Sequence, residues 1–133
     1  MGRWLQWKTV SVAIERKPED VYEYVVNPEH FAEWATSFCL GVRRKEEGWR
    51  IDTPRGEMSL RFAERNPYGI LDHYVKAQTG PELLNPARVV ASGSGSRVIF
   101  TVIQPVDRED RDWRMDFRDT ERDLQTLKLV LER

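Results

Sequence analysis

The C-terminal segment from Asp107 to Glu132 is the feature that most constrains the fold, because its length and periodicity suit the spine of a small domain. Its apolar residues recur in steps of three and four, which places them on one face of an α-helix. The stripe comprises Trp113, Phe117, Leu124, Leu127 and Leu131, with Thr120 completing the spacing. At a rise of about 1.5 Å per residue, this helix would be roughly 39 Å long. The rest of the chain must therefore form a surface that covers the stripe.

The opposite face of this helix is ionic and is predicted to face water. Oppositely charged residues stand three or four positions apart, where helical neighbours attract. The four pairs are Asp107 with Arg111, Asp110 with Arg114, Arg118 with Glu121, and Asp119 with Arg122. We interpret this face as solvated rather than as a docking surface, because weak pairs of this kind are common on exposed helices.

Composition narrows the functional classes. With 133 residues, of which 40% are hydrophobic, the chain fits one domain spanning residues 1–133. Its 21 basic and 22 acidic residues nearly cancel, so no strong field attracts nucleic acid or an anionic membrane. No N-terminal apolar segment is long enough for a signal peptide or a membrane span, and the single cysteine cannot form an internal disulfide. We therefore expect a cytoplasmic protein without a nucleic-acid partner.

Before the long helix, the sequence predicts one strand, two short helices and six further strands. Trp4 to Glu15 alternates like a strand, Pro18 opens a first short helix after a poor cap at Lys17, and Asn27 caps a second. Strand-like runs bounded by turn residues follow at 40–45, 49–52, 57–65, 70–77, 88–92 and 97–104, with a longer loop at 78–86. This β-α-α-β6-α order predicts an α+β fold, in which a curved antiparallel sheet of about seven strands wraps around the C-terminal helix.

One hairpin register places a histidine on an apolar face. If residues 66–69 form a four-residue loop, Phe62 lies opposite His73 and Leu60 lies opposite Val75. His73 then shares its face with Met58, Leu60, Phe62, Leu71 and Val75. A slip of one residue would instead turn His73 to solvent.

The register of the next hairpin leaves the direction of Arg88 open. A two-residue turn pairs Arg88 with Thr101, on the face away from Val98 and Phe100. A three-residue loop sets Arg88 opposite Phe100, on the inner face. In the second case an anionic ligand group would be a natural counterion for the buried guanidinium.

Two helix starts carry a resemblance to a known family. Pro18-Glu-Asp-Val-Tyr22 and Asn27-Pro-Glu-His-Phe-Ala-Glu-Trp34 resemble the START-like (SRPBCC, Bet v 1-like) superfamily, more narrowly its bacterial polyketide cyclase/dehydrase-like proteins. The segments 69–75, 100–105 and 123–132 are also similar to stretches of bacterial members. The resemblance spans nearly the whole chain and implies the helix-grip fold.

The resemblance also implies a cavity between the sheet and the long helix. Members bind lipids, hormones, polyketides and other apolar molecules there, and some are enzymes, but they share no common catalytic set. The residues that we place around the cavity are Trp34, Phe38, Met58, Leu60, Phe62, His73, Arg88, Phe100, Trp113 and Phe117. On the long helix, we expect the aromatic half to roof the cavity and the aliphatic half to close the core.

His73 is the candidate for acid or base catalysis, since an imidazole exchanges protons near neutral pH and an apolar setting perturbs it. The alternative is a core histidine with both nitrogens satisfied. No spacing of ligating residues indicates a metal site, and we expect no cofactor. Cys39 is interpreted as inert packing and His30 as a surface residue.

Three functions are consistent with these patterns. The first is a module that binds a small apolar or amphipathic molecule of lipid, polyketide or aromatic type. The second is a cyclase or dehydratase acting on a polyketide-like substrate, with His73 moving the proton. The third is a protein-interaction domain, as in relatives of the Hsp90 activator. A homodimer also remains an alternative.

Overall fold

The computed structural model describes residues 5–133, so the predicted strand start at Trp4 lies outside the described residues. Within this range the order of elements follows the prediction, with one additional short strand. The elements are β1 (Trp7–Ile14), α1 (Pro18–Val25), a 3₁₀ turn (Pro28–His30), α2 (Phe31–Trp34), β2 (Gly41–Lys45), β3 (Gly48–Thr53), β4 (Gly56–Phe62), β5 (His73–Ala77), β6 (Leu83–Asn85), β7 (Ala87–Ser92), β8 (Gly95–Ile103) and α3 (Asp110–Leu131).

The two early helices begin where the sequence predicts. Pro18 occupies the first turn of α1, and Lys17 precedes it without a side-chain cap. At the second start, the side-chain oxygen of Asn27 accepts the backbone N–H of Glu29 at 3.0 Å. The helices bury Val21, Val25 and Trp34 against the sheet.

The strands form two antiparallel ladders that join into one curved sheet. One ladder has the order β2-β3-β4-β5-β6, and the other has the order β1-β8-β7. They join where residues 69–71 pair with residues 87–89: Leu71 N–H donates to the oxygen of Ala87 at 2.8 Å, and Val89 N–H donates to the oxygen of Gly69 at 2.9 Å. Thus β6 and β7 follow one another along a single strand position between β5 and β8, and the sheet is about seven strands wide.

Pro86 explains the break between β6 and β7. Proline has no N–H to donate to a ladder. At the next residue, the N–H of Ala87 turns to the side-chain oxygen of Asp72 at 2.9 Å. The prediction that residues 78–86 form only a loop is therefore wrong in part, because Leu83–Asn85 pairs with β5. Pro81 and Pro86, which flank this strand, led to its assignment as a loop.

The predicted register of β4 and β5 is confirmed. Phe62 pairs with His73, and Leu60 pairs with Val75. The side chain of Asn66 closes the intervening loop, since its oxygen accepts the N–H groups of Tyr68 and Ile70, each at 3.0 Å. Local turn chemistry therefore sets which face His73 occupies.

Arg88 lies on the outer face, and its placement at the cavity is wrong. The β7–β8 turn consists of Gly93 and Ser94, so Ser92 pairs with Gly95 and Arg88 lies opposite Ile99, a register that differs from both alternatives. Alternation then turns Val89 inward and leaves Arg88 exposed. The guanidinium donates to the backbone oxygen of Tyr68 at 3.4 Å.

Helix α3 lies against the sheet and is tied to β1 at its C-terminal end. Trp113, Leu124 and Leu127 of the predicted stripe are buried, whereas Phe117 and Leu131 are half-buried. The amine of Lys128 donates to the oxygen of Ala13 at 2.9 Å, and Glu132 accepts the N–H of Glu15 at 2.8 Å. None of the helices in residues 5–133 combines the length and apolar character needed to cross a bilayer.

The ionic face of α3 is only partly as predicted. Among the described residues, one of the four expected pairs forms, between Asp119 and Arg122 at 3.9 Å. Arg108 instead reaches forward to Asp116, donating through Nε and Nη2 at 2.9 Å each. This bidentate contact holds the loop before α3 against its second turn.

Candidate functional site

A cavity of about 610 Å³ lies among α2, α3 and the strands β5, β6 and β8. Its volume is within the usual range of roughly 300–1,000 Å³ for small-molecule sites. Apolar and aromatic side chains form the inner wall, with Phe31, Trp34, Val75 and Phe100 among them. The mouth is marked by lining residues that are exposed, including Leu84 and Val106.

His73 is held at the inner wall by a cluster of aromatic rings. Its ring centroid is 5.2 Å from that of Phe62, 5.5 Å from that of Phe100 and 5.9 Å from that of Phe31. Trp34 packs edge-on against Phe100 at 5.8 Å. Only 4% of His73 is exposed, so the imidazole is positioned by packing as well as by its hydrogen bond.

The hydrogen bond of His73 defines its chemistry. Nδ1 lies 3.1 Å from the backbone oxygen of Leu71. A carbonyl can only accept, so Nδ1 carries the proton and Nε2 presents a lone pair. Nε2 has no hydrogen-bond partner among the described residues. Burial lowers the pKa of His73 to about 4, which keeps the ring neutral at physiological pH.

Helix α3 contributes a polar stripe to the cavity. Asp116, Asp119, Thr120 and Asp123 recur at helical spacing and all line the space. Asp123 is only 5% exposed, and it accepts the backbone N–H of Ser37 at 3.0 Å. Burial raises the pKa of Asp123 to about 6, against the opposing hydrogen bonds from Ser37.

These acids are not among the predicted site residues, because the sequence pattern assigns Asp119 to a solvated face and gives Asp116 and Asp123 no role. The available signal was position: Asp123 directly precedes Leu124 and stands four residues before Leu127, both in the apolar stripe. A carboxylate bordering a buried stripe lies at the edge of the covered face. Spacing could therefore have indicated Asp123, although not the cavity beside it.

The structure places the predicted cavity residues in several environments. Trp34, Phe38, His73 and Phe100 line the cavity. Met58 and Leu60 are buried in the core, and Phe62 packs against the His73 ring without lining the cavity.

The aromatic half of α3 does not roof the cavity, which corrects that expectation. Trp113 is buried outside the cavity lining, and Phe117 packs under the amine of Lys8, which lies 4.5 Å from the ring centroid. The apolar stripe faces β1, so the adjacent polar stripe faces the cavity. The indole N–H groups of Trp34 and Trp113 are buried and have no partner among the described residues.

Other reactive side chains outside this cavity are accounted for by packing. Cys39 is buried, its sulfur lies 3.4 Å from the oxygen of Gly41, and burial raises the pKa of the thiol. His30 stacks on Tyr24 with ring centroids 4.2 Å apart, and its Nδ1 lies 2.8 Å from the Tyr24 oxygen. Across residues 5–133, no group of three or more potential ligands could hold a metal ion.

A second depression of about 670 Å³ lies between α1 and the β3–β4 side of the sheet. Six charged side chains are among its lining residues, and two of them, Glu23 and Arg65, form an exposed ion pair. Such a pair is well solvated and weak. The depression therefore lacks the apolar enclosure of the first cavity.

Several solved structures have the same fold. XoxI from Bacillus cereus is 18% identical with a TM-score of 0.74, covering 94% of this chain and 94% of that chain. The Zhui aromatase/cyclase from Streptomyces sp. R1128 is 14% identical with a TM-score of 0.74, covering 98% and 95%. Ara h 8.0201 is 7% identical with a TM-score of 0.72, covering 96% and 98%. No protein-family model matches the sequence, and no curated protein matches it significantly.

These structures superpose on almost the full chain, at identities that establish the fold alone. The protein therefore has the helix-grip fold of the START-like, Bet v 1-like proteins, as its sequence resemblance implied.

Proposed function

We propose that the protein binds a small hydrophobic or amphipathic molecule in the cavity between the sheet and α3. The observation that carries this proposal is the cavity itself, with aromatic walls and a few buried polar groups at defined positions. Ligand sites commonly combine an apolar wall with a small number of orienting polar atoms. Ara h 8.0201 and the Zhui aromatase/cyclase support a fold suited to such a site.

His73 favours binding over proton transfer as its main role. A general base works best when its pKa is near the working pH. The His73 pKa of about 4 makes Nε2 a weak base at neutral pH, yet leaves it fully available as a hydrogen-bond acceptor. A ligand hydroxyl or N–H would satisfy this acceptor, which has no hydrogen-bond partner within residues 5–133.

Filling the cavity tests the binding proposal. Thr120→Phe places a ring into the cavity from α3, whereas Thr126→Phe makes the same change on α3 outside the cavity lining. The two threonines are matched, since each is half-buried and donates its hydroxyl to the carbonyl four residues earlier, at 3.0 and 3.2 Å. Thr120→Phe should weaken binding by about tenfold or more, because overpacking a site costs about 1–3 kcal/mol.

The measurement is a thermal-shift and native mass-spectrometry screen of fatty acids, flavonoids and polyketide mimics. A compound that stabilises the parent and Thr126→Phe, but not Thr120→Phe, supports binding in this cavity. If no compound shifts the parent, or if Thr120→Phe responds like Thr126→Phe, the binding proposal fails.

A cyclase or dehydratase is the second candidate function, and the defined tautomer of His73 is the observation that favours it. With Nδ1–H donated to Leu71, Nε2 is the ring atom that could accept a proton from a bound substrate, even though its low pKa makes it a weak base. His73→Phe would preserve an aromatic ring in the cluster while removing this nitrogen. Turnover of an identified substrate that survives this substitution would contradict the enzyme reading.

A further inference from the structure

Some polar groups around the cavity are already committed to partners within the protein, whereas one acceptor is not. Among the buried or half-buried donors, the amide of Gln104 is committed to the oxygen of Arg108 at 2.8 Å and to Asp110 at 2.7 Å. The hydroxyl of Thr120 is committed to the oxygen of Asp116. By contrast, Nε2 of His73 is a buried acceptor without a partner among the described residues. A hydrogen-bond donor on a ligand could therefore satisfy this acceptor.

The charged side chains that line the cavity are mostly acidic. Five carboxylates line the cavity, against the single guanidinium of Arg55, which is exposed on the β3–β4 turn. The carboxylates are those of Glu82, Asp107, Asp116, Asp119 and Asp123. A cavity lined in this way attracts cations and repels anions.

Two of these acids are already neutralised within the protein. Glu82 pairs with Arg61 at 3.0 Å, and Asp116 forms the bidentate contact with Arg108. A cationic ligand would gain little attraction from these two acids, because each already interacts with an arginine of the protein. These two acids therefore do not select the ligand's charge.

Of the other three acids, Asp107 is exposed and lies near the guanidinium of Arg108. Asp119 and Asp123 are therefore the half-buried and buried acids that lack close neutralisation. Asp119 has Arg122 at 3.9 Å, but the Arg122 side chain is largely exposed and the pair is correspondingly weak. Asp123 is 95% buried, since 5% is exposed, and among residues 5–133 it forms no ion pair. An ionised carboxylate held beside an apolar wall without a counterion is costly.

Asp119 and Asp123 stand four residues apart on α3, so they are neighbours on one helical face. An ammonium group can interact electrostatically with both carboxylates at once, while its three N–H groups donate hydrogen bonds. The apolar body attached to it would lie against the aromatic inner wall, with Nε2 of His73 accepting a further donor. Trp34 Nε1 is enclosed by protein atoms and forms no hydrogen bond with this acceptor.

We propose, resting on the ligand-binding function above, that the ligand is an amphipathic amine whose ammonium group binds at Asp119 and Asp123. The apolar body occupies the space bounded by Phe31, Trp34 and Phe100. Carboxylate and phosphate ligands of the same shape are disfavoured by the wall charges. Helix α3 thus selects the charge of the ligand's head group, whereas α2 and β8 contact its apolar body.

The test uses matched probes that differ only in their head group. Naphthylmethylamine, naphthylmethanol and naphthylacetate supply an aromatic body, while decylamine, decanol and decanoate supply an alkyl body. Binding is measured by isothermal titration calorimetry at neutral pH. With at least one body, we expect the amine to bind about tenfold or more tightly than its alcohol, and the anion to bind most weakly.

Substitutions on α3 test whether the preference for amines arises at Asp119 and Asp123. Asp119→Asn and Asp123→Asn should each weaken amine binding by about fivefold or more while leaving alcohol binding within about twofold. Glu121→Gln is the matched control, because Glu121 is an exposed carboxylate on α3 outside the cavity lining. It should leave the affinities for both head groups unchanged.

The outcomes separate this inference from the function on which it rests. If alcohols or anions bind as tightly as amines, cavity binding stands and the amine inference is overturned. The same conclusion follows if both Asn variants bind the amine like Glu121→Gln. If none of the six probes binds, the amine inference and the proposed binding function fall together.

Discussion

Asp123 and His73 are buried residues whose pKa values shift in opposite directions. The folded state raises the pKa of Asp123 to about 6, so it holds a proton that the unfolded chain loses as pH rises from about 4 to 6. Asp123 therefore costs stability as pH rises through this window. The pKa of His73 falls to about 4, so His73 costs stability as pH falls from about 6.5 to 4. Between about pH 4 and 6 the two effects oppose each other.

Asp123→Asn should stabilise the fold at neutral and alkaline pH. Asparagine retains an oxygen for the N–H of Ser37 but carries no charge to bury. The gain should be about 1–3 kcal/mol near pH 8, shrink as pH falls through about 6, and vanish below about pH 4. Urea unfolding of the parent and the variant across this range measures it. A gain that is independent of pH, or a loss at pH about 8, would contradict the burial argument.

Helix α3 carries two functional stripes side by side. The apolar stripe, which includes Trp113, Leu124 and Leu127, packs on the sheet and supports the fold. The polar stripe, from Asp116 to Asp123, borders the cavity. This division assigns stability and ligand selection to different faces of one element.

Leu127→Ala should cost about 2–5 kcal/mol of unfolding free energy, because its side chain is fully buried and its removal leaves a cavity. Leu129→Ala is the control on the same helix, with the same change in helix propensity. Leu129 is 68% exposed, so its loss should stay within about 0.5 kcal/mol. Denaturant midpoints of the two variants provide the measurement, and equal losses would show that the stripe does not anchor α3.

The whole sheet depends on the short joint between its two ladders. Gly69 lies at this joint with a φ of 72°, and a Cβ there would clash with the backbone oxygen of Val89. That same oxygen belongs to the strand to which Gly69 is hydrogen-bonded. The joint thus combines a left-handed backbone with close approach of two strands.

Gly69→Ala should destabilise the protein more than Gly93→Ala. Both glycines have a left-handed φ, of 72° and 58°, which costs an alanine about 1–2 kcal/mol. At Gly93 a Cβ meets nothing within 4 Å, whereas at Gly69 the strands must also separate, adding about 1–3 kcal/mol. Thermal and urea unfolding compare the variants, and a smaller loss for Gly69→Ala would show that the joint is pliable.

The sequence alone determined the features that rest on local chemistry. Pro18 and Asn27 specify helix starts, Asn66 closes the turn that sets His73 opposite Phe62, and periodicity identifies the stripe of α3. Each of these signals acts over a few residues, so each can be recognised in the chain itself. The overall helix-grip architecture follows from their order.

Only the tertiary structure decided which surfaces face the cavity. The β7–β8 turn shifted the register and turned Arg88 outward, β6 gained its pairing from β5, and the packing of α3 on β1 turned Asp119 and Asp123 towards the cavity. Burial of a helical residue depends on strands distant in sequence, as β1 pairs with β8 across the whole domain. A carboxylate at the edge of an apolar stripe therefore reads as solvated until the sheet beside it is known.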